Sequence, residues 1–343
     1  MKKIFIFLLI FVMIVSSAAC GSNTKNDKFY NVNDPIQVVD GAGRKVSFPK
    51  PVETIATSWG GTCDAFLFAL GLEDRLVATN SRNDFHKKFI PDIDDFPSVG
   101  RWVLDKEALA EISPDLFIHG LAGKEFLEGA NQVGVRSLGL SLNSFEDISF
   151  SIEMLGKIFG VEEKAEFVNK QTQKILDLIA DRTSALNEDE KLSVVVLGSK
   201  TGQVACDIYN AVEQMVTISG GKSVVPKSIS DKDEITNVGL ETIFKWNADV
   251  IFLQGPYCEL TDEGILADPN WANLTSVKNG CVYTIPSELH GWADASPASC
   301  LGALYMSMQM YPELYEDVDF EAITVQFYKD VFELDITVEE LGL

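Results

Sequence analysis

The chain predicts an α/β fold in which two similar lobes with mainly parallel sheets are joined by a long helix. Three observations carry this reading. Short apolar runs of strand character alternate with helical patterns along most of the chain. One stretch, residues 144–187, keeps helical period almost throughout. A twelve-residue pattern recurs 134 positions later, once on each side of that stretch. With 46% apolar and 23% charged residues, the chain has enough to bury for ordinary globular domains. Its 51 acidic against 28 basic side chains leave a net charge of −23, which repels phosphate backbones and argues against a nucleic-acid partner.

Residues 1–19 read as a secretory signal peptide: Lys2 and Lys3, an unbroken apolar run over 4–15, then Ser16-Ser-Ala-Ala19. As a helix that run rises about 18 Å, short of the roughly 30 Å hydrocarbon core, so it is not a permanent span. Ser17-Ala-Ala-Cys20 resembles a bacterial lipobox, with Ser17 where that pattern favours Leu, and the resemblance implies a lipidated Cys20. Residues 20–34 are then the lipidated Cys and a flexible tether, polar and turn-forming. A strongly acidic protein is not held to an anionic bilayer by charge, so a lipid chain is the expected anchor. Cys63, Cys206, Cys258, Cys281 and Cys300 are odd in number and lack Cys-x-x-Cys spacing. They read as buried apolar thiols, without a zinc or redox motif and with one disulfide left open.

The mature chain divides into an N-terminal α/β lobe (35–143), a helical connector (144–187), a C-terminal α/β lobe (188–310) and a C-terminal helical extension (311–343). Strands at 36–39 and 45–48 flank Asp40-Gly-Ala-Gly-Arg44, a hairpin signal. A strand at 54–57 runs through Ser58-Trp-Gly-Gly-Thr62 into a helix over 64–70, stopped by Gly71. Strands at 76–79, 115–119 and 135–140 then alternate with helices at 107–112 and 123–133. In the connector, Phe145, Ile148, Ile152, Leu155, Ile158 and then Val168, Ile175 and Ile179 recur at helical spacing, broken only at Gly160-Val-Glu-Glu163. Strands at 192–197, 249–253 and 281–285 and helices at 208–219, 240–246 and 271–277 complete the second lobe.

The repeat is Glu107-Ala-Leu-Ala-Glu-Ile-Ser-Pro-Asp-Leu-Phe-Ile118, aligned without a gap on Glu241-Thr-Ile-Phe-Lys-Trp-Asn-Ala-Asp-Val-Ile-Phe252. In each copy a Glu starts a helix, where the positive dipole end favours it, and an Asp turn feeds an apolar strand.

Together with Asp40-Gly-Ala-Gly-Arg44-Lys-Val, Ala69-Leu-Gly-Leu-Glu-Asp-Arg-Leu-Val77, Leu155-Gly-Lys-Ile-Phe-Gly160, Gly220-Gly-Lys222 and Trp271-Ala-Asn-Leu-Thr-Ser-Val-Lys-Asn-Gly-Cys-Val-Tyr283, the repeat resembles the extracytoplasmic solute-binding lipoproteins of ABC importers for iron chelates, haem and cobalamin. The resemblance spans nearly the whole mature chain. It implies two Rossmann-like lobes joined by a rigid backbone helix, small hinge motion and no catalysis. It implies no cofactor, a transported ligand that is a metal complex, and a monomer that delivers this ligand to a permease dimer. One carboxylate per lobe docks on the permease in this family, and the matching positions are Glu107 and Glu241. The implied location is the extracytoplasmic face of the membrane, through the lipid anchor.

Ligands of open α/β sheets sit at the loops beyond the strand ends. The lining residues expected there are Ser58, Trp59, Thr62, Arg82, Arg101, Trp102 and His119 in the first lobe, and Tyr209, Tyr257, His290 and Trp292 in the second. Aromatic faces stack on a flat ligand, and Arg pairs a carboxylate or oxyanion bidentately. His119 and His290 are open either to a hydrogen-bonded structural role or to coordination of iron; His86, beside Lys87 and Lys88, reads as solvated. His290-Gly-Trp292-Ala-Asp-Ala-Ser-Pro297 resembles a loop of a haem- and iron-chelate branch that also includes molybdate and tungstate binders.

An enzyme finds no support in the motifs: Gly-x-Ser-x-Gly and His-Glu-x-x-His are absent, and Gly220-Gly-Lys-Ser223 lacks the upstream glycine of a P-loop. A receptor for cobalamin, for an oxyanion or for a bare divalent metal stays open, the last requiring His119, His290 and carboxylates to converge on one ion. A surface lipoprotein without a small ligand is the remaining alternative.

Overall fold

A computed structural model describes residues 35–120, 123–198, 204–206, 210–226, 236–255 and 258–343. The signal peptide, Cys20 and the tether lie outside the described residues.

The first lobe opens with β1 (Ile36–Val39) and β2 (Lys45–Phe48), an antiparallel hairpin. Its turn is held by Asp40, whose buried carboxylate accepts the Ala42 and Arg44 amides, the Arg44 guanidinium at 2.6 Å and the Gly139 amide at 3.0 Å. The hairpin is thereby fastened to the neighbouring sheet. That sheet runs β4 (Leu76–Ala78), β3 (Ile55–Ser58), β5 (Leu116–His119), β6 (Ser137–Gly139), all parallel. Between its strands lie α1 (Gly60–Ala69), α2 (Asp84–Phe89), α3 (Lys106–Ile112) and α4 (Lys124–Gln132).

The connector is two helices, α5 (Phe145–Phe159) and α6 (Glu162–Thr183). The break expected at Gly160-Val-Glu-Glu163 separates them, with Gly160 in a left-handed conformation (φ 68°). The pair folds back antiparallel: Asn169 donates to the Ser149 carbonyl, and Gly156 lies so close to Ala165 that a Cβ there would meet it at 2.6 Å. The 22-residue α6 then carries the chain to the second lobe.

The second sheet runs β12 (Val282–Thr284), β11 (Val250–Leu253), β7 (Ser193–Leu197), β9 (Lys222–Ser223), again parallel. The antiparallel pair β8 (Val204–Cys206) and β10 (Thr236–Val238) was not legible in the sequence. Its helices are α7 (Asn210–Ile218), α8 (Leu240–Trp246), α9 (Asp262–Ala267) and α10 (Thr275–Asn279). The C-terminal part adds α11 (Ser299–Met310), α12 (Phe320–Phe332) and α13 (Val338–Leu341).

Strand alternation divides the core. Ile55, Leu116, Ile118, Val194, Val196, Val250 and Phe252 point into one continuous core shared with α1, α5, α6, α11 and α12. Their neighbours Ala56 and Phe117 pack in a separate cluster with Leu109 and Ala130. Val195, Leu197, Ile251 and Leu253 do the same in the second lobe, with Ile243 and Trp271. Both sheets are therefore covered on both faces, as parallel sheets require, and the lobes share the inner layer. Cys63 and Cys300 are buried free thiols, Cys281 is a half-buried one, and Cys258 is half-buried.

Candidate functional site

In a parallel sheet the loops that follow the strands gather at one edge, and the helices that follow them start there. In the first lobe this edge is built from β3, β4 and β5. Ser58, the last residue of β3, is the register partner of His119 at the end of β5, so both strands end at the same level.

The chain leaves β3 through Trp59, which caps α1 in the left-handed region at φ 61°, ψ 45°. A bulky residue held there marks a strained, over-determined position. Gly60 follows because no side chain fits: a Cβ would meet Thr79 Oγ1 at 2.1 Å, while its amide donates to Asn80 Oδ1 at 2.9 Å. The 97–105 turn folds over the same edge. Gly100 has φ +90°, a Cβ there would meet the Val103 carbonyl at 2.0 Å, and its own carbonyl accepts from Ser58 Oγ at 3.0 Å.

This closed turn delivers Trp102 to Trp59. Their rings meet edge to face at 5.4 Å, and the Arg101 guanidinium lies over the Trp102 ring at 5.1 Å. The stack stands in solvent, with Trp102 66% exposed and Val103 77% exposed. Trp59, half-buried against the core, supports it from below, and Trp102 presents the exposed π-face with the Arg101 cation beside it.

Arg82 is half-buried and donates to the Phe96 carbonyl, which ties the loop after β4 to the 93–96 turn. Thr62 is nearly buried in the first turn of α1. His119 is buried against Phe126, the two rings stacked at 4.1 Å, and its Nδ1 has no hydrogen-bond partner among the described residues. Burial lowers the His119 imidazole to about 4, so it is neutral at physiological pH.

Beneath this edge lies a network that the sequence did not reveal. Asp64 Oδ2 accepts from Thr79 Oγ1 at 2.6 Å and from His86 Nε2 at 3.1 Å, and His86 Nδ1 lies 2.5 Å from Asn83 Oδ1. All three of Asp64, Thr79 and His86 are buried. The solvated reading of His86 is corrected accordingly. Lys87 and Lys88, which follow it, are exposed, but a short helix turns the His86 ring inward.

In the second lobe, Tyr209 and Tyr257 lie outside the described residues. His290 and Trp292 are not at an open edge. His290 is stacked on Phe85 of the first lobe at 4.2 Å and 7°, with neither ring nitrogen partnered among the described residues. Burial, with a smaller contribution from nearby His86, lowers it to about 3. Trp292 is 1% exposed and donates from Nε1 to Tyr328 Oη at 3.0 Å. Both belong to the packing between the lobes, because the C-terminal helices cover the loop that carries them. At the ends of β11 and β12, Gln254, Gly255, Ile285, Ser287 and Asp294 close around a gap too narrow to admit a water molecule. Position directly after two predicted strands was the available signal for Gln254 and Ser287.

The repeat reappears as geometry. Glu107 lies exposed in the first turn of α3, and Glu241 lies exposed in the first turn of α8. Asp115 accepts the Thr54 amide at 3.2 Å, and Asp249 accepts the Ser193 amide at 2.9 Å, each fixing a helix–strand turn to the start of the adjacent strand. A helix that feeds a parallel strand runs opposite to it, so both glutamates stand at the loop-bearing ends of their sheets. Among the described residues, no three His, Cys, Asp or Glu side chains converge as metal donors, and no helix is long and apolar enough to cross a membrane.

The uncharacterised ABC transporter substrate-binding lipoprotein YvrC of Bacillus subtilis is 22% identical over 335 residues, 92% of this chain and 99% of that protein. The iron(3+)-hydroxamate-binding protein FhuD of the same organism is 24% identical over 82% of this chain and 90% of its own length. The molybdate-binding protein MolA of Haemophilus influenzae is 22% identical over 66% of this chain and 69% of its own. Its structure with molybdate superposes with a TM-score of 0.74 over 88% of this chain and 99% of that one, at 18% identity. Residues 56–289, from the first β-strand of the sheet to the loop before His290, match the periplasmic binding protein model. The two parallel sheets, the helix between them and this match together mean that the chain belongs to the periplasmic binding protein family, the substrate-binding components of ABC importers.

Proposed function

We propose that the protein captures an iron chelate, a ferric siderophore or haem-type compound, and delivers it to a membrane permease. The observation that carries this reading is the exposed pair of Arg101 and Trp102, backed by half-buried Trp59, at the carboxyl edge of the first sheet. A flat anionic ligand meets a π-face and a guanidinium there at once, and FhuD, a relative over most of the chain, is named for a ferric hydroxamate. Thr62, Arg82 and neutral His119 complete the first-lobe lining in this proposal, and Tyr209 and Tyr257 supply the second. Binding needs no chemistry and no resident cofactor.

Glu107 and Glu241 are the proposed docking carboxylates. Their equivalent places on two related lobes suit a two-fold symmetric permease, which acidic side chains steer before contact. A lipid on Cys20, left after removal of 1–19, anchors the monomer outside the membrane, with 20–34 as tether. The lobes 35–143 and 188–310, the connector 144–187 and the extension 311–343 are the working units of this reading.

An oxyanion is the second reading, favoured by the resemblance to MolA over 66% of the chain. A bare divalent ion needs three or four converging donors, and His119 and His290 do not join such a group among the described residues. The deciding experiment is native mass spectrometry with visible absorption on the mature protein purified from its own host. A co-purifying coloured iron species is expected. A colourless protein carrying molybdate, tungstate or one bare ion would overturn the chelate reading.

A further inference from the structure

The last helices of the chain touch both lobes at the same points. Tyr328 and Phe332, one turn apart on α12, pack together with ring centroids 5.3 Å apart. On one side, Phe332 meets Phe85 of α2 edge to face at 5.3 Å and Phe89 at 6.4 Å. On the other, Tyr328 Oη accepts the Trp292 indole N–H, and Phe332 lies 6.0 Å from His290. Phe85 and His290 complete the circuit by stacking on one another.

A second link runs through α13. Glu340 is its capping-box residue: one oxygen accepts the Thr337 amide at 2.9 Å, and the other pairs with Lys88 of α2. The carboxylate that starts the last helix therefore also holds a helix of the first lobe. Arg82 lies two residues before α2, and the His290 loop begins directly after Ile285, at the carboxyl end of β12 in the second lobe.

We propose that α12 and α13 form an interlobe clasp, which positions α2 and its Arg82 loop against the 286–297 loop and so sets the separation of the two ligand-facing edges. The clasp has two halves, the buried Phe85–His290–Phe332–Tyr328 cluster and the exposed Lys88–Glu340 pair, and α2 is their common target. It is not a ligand contact. Elements packed in one cooperative unit open together, so loosening either half exposes amides on both sides of the seam.

Hydrogen–deuterium exchange of the mature, ligand-free protein reads this directly and is independent of what the protein binds. With Phe332→Ala, exchange is expected to rise at least about tenfold across 84–90 and 286–292, while the β3 and β5 amides keep their protection. Lys88→Met is expected to raise exchange about two- to threefold in both α2 and 337–342, on the far lobe, and Lys88→Arg is expected to keep the original rates. Increases confined to 320–343 in Phe332→Ala, with α2 unchanged, would overturn the clasp. Where Phe332→Ala does not fold, the Lys88 pair decides: a change in α2 alone, or equal changes in Lys88→Met and Lys88→Arg, removes the proposal.

Discussion

Ser113 and Asn247, 134 residues apart, have the same backbone conformation: φ 47°, ψ 53° at Ser113 and φ 44°, ψ 52° at Asn247. Each ends a seven-residue helix in the left-handed region, and its amide bonds the carbonyl four residues back, on Leu109 and Ile243. The repeat is thus a repeated turn geometry as well as a repeated pattern of residues.

The two positions nonetheless respond differently to glycine. Among the described residues Ser113 has no side-chain bond that offsets its left-handed backbone, so Ser113→Gly is expected to stabilise by about 0.5–1 kcal/mol. Asn247 donates to Thr275 Oγ1 at 2.8 Å and accepts the Thr275 amide at 2.9 Å. Asn247→Gly therefore loses about 1 kcal/mol or more despite the easier backbone. Urea midpoints that shift in opposite directions would bear this out; equal shifts would not.

Reversing both Glu107 and Glu241 to Lys is expected to abolish uptake in cells while the purified protein keeps its ligand affinity and melting temperature. Both side chains are exposed in the first turns of their helices, so the reversal leaves the buried core intact. Uptake at the original rate would remove the docking assignment.

Trp102→Ala should weaken binding of the co-purified ligand by about tenfold, the loss of one π-face and its cation, with thermal stability within about 0.5 kcal/mol of the original. Tryptophan quenching and calorimetric titration separate the two quantities. A large loss of stability with unchanged affinity would make the stack structural.

Acid destabilises this fold through its histidines. His119 and His290 are held neutral by burial, at about 4 and about 3, whereas an unfolded chain titrates near 6.5. Below about pH 6.5 the unfolded state binds protons that the folded state refuses, so stability falls as pH drops from about 6.5 towards 4. His290→Phe keeps the ring that stacks on Phe85 and removes the titration. The loss of stability between pH 7 and pH 4.5 should shrink by about 2–3 kcal/mol in this variant, measured by urea unfolding at both pH values.

Asp64→Ala leaves Thr79 and His86 facing each other in the core without their shared acceptor. A cost of about 3 kcal/mol or more is expected, as for other buried pairs broken on one side. Denaturation midpoints test it, and a change under 1 kcal/mol would show that the network contributes little.

Much of the architecture was legible because it is local. Alternation in Leu116-Phe-Ile-His119 and Val250-Ile-Phe-Leu253 marks strands buried on both faces, and the structure assigns their alternate residues to two different cores. The exposure of Arg101 and Trp102 was legible for a related reason: a Gly turn with no helical or strand period has no core to serve. The connector was half read. The interruption at Gly160 was visible, but an interrupted period does not say whether a chain continues straight or folds back.

His86, His290 and Trp292 mark the limit. Flanking lysines made His86 look solvated, and a glycine-containing loop made His290 and Trp292 look open, yet all three are buried by residues far away in the chain: Asp64, Phe85 and Tyr328.

From the sequence alone come the fold class, the two-lobed repeat and the family, because strand alternation, helix period and turn residues are written within a dozen neighbours. Only the tertiary structure decides which polar side chains face the cleft and which lie in the seam between the lobes. That choice depends on where the C-terminal helices come to rest, and burial is a property of the whole packed chain.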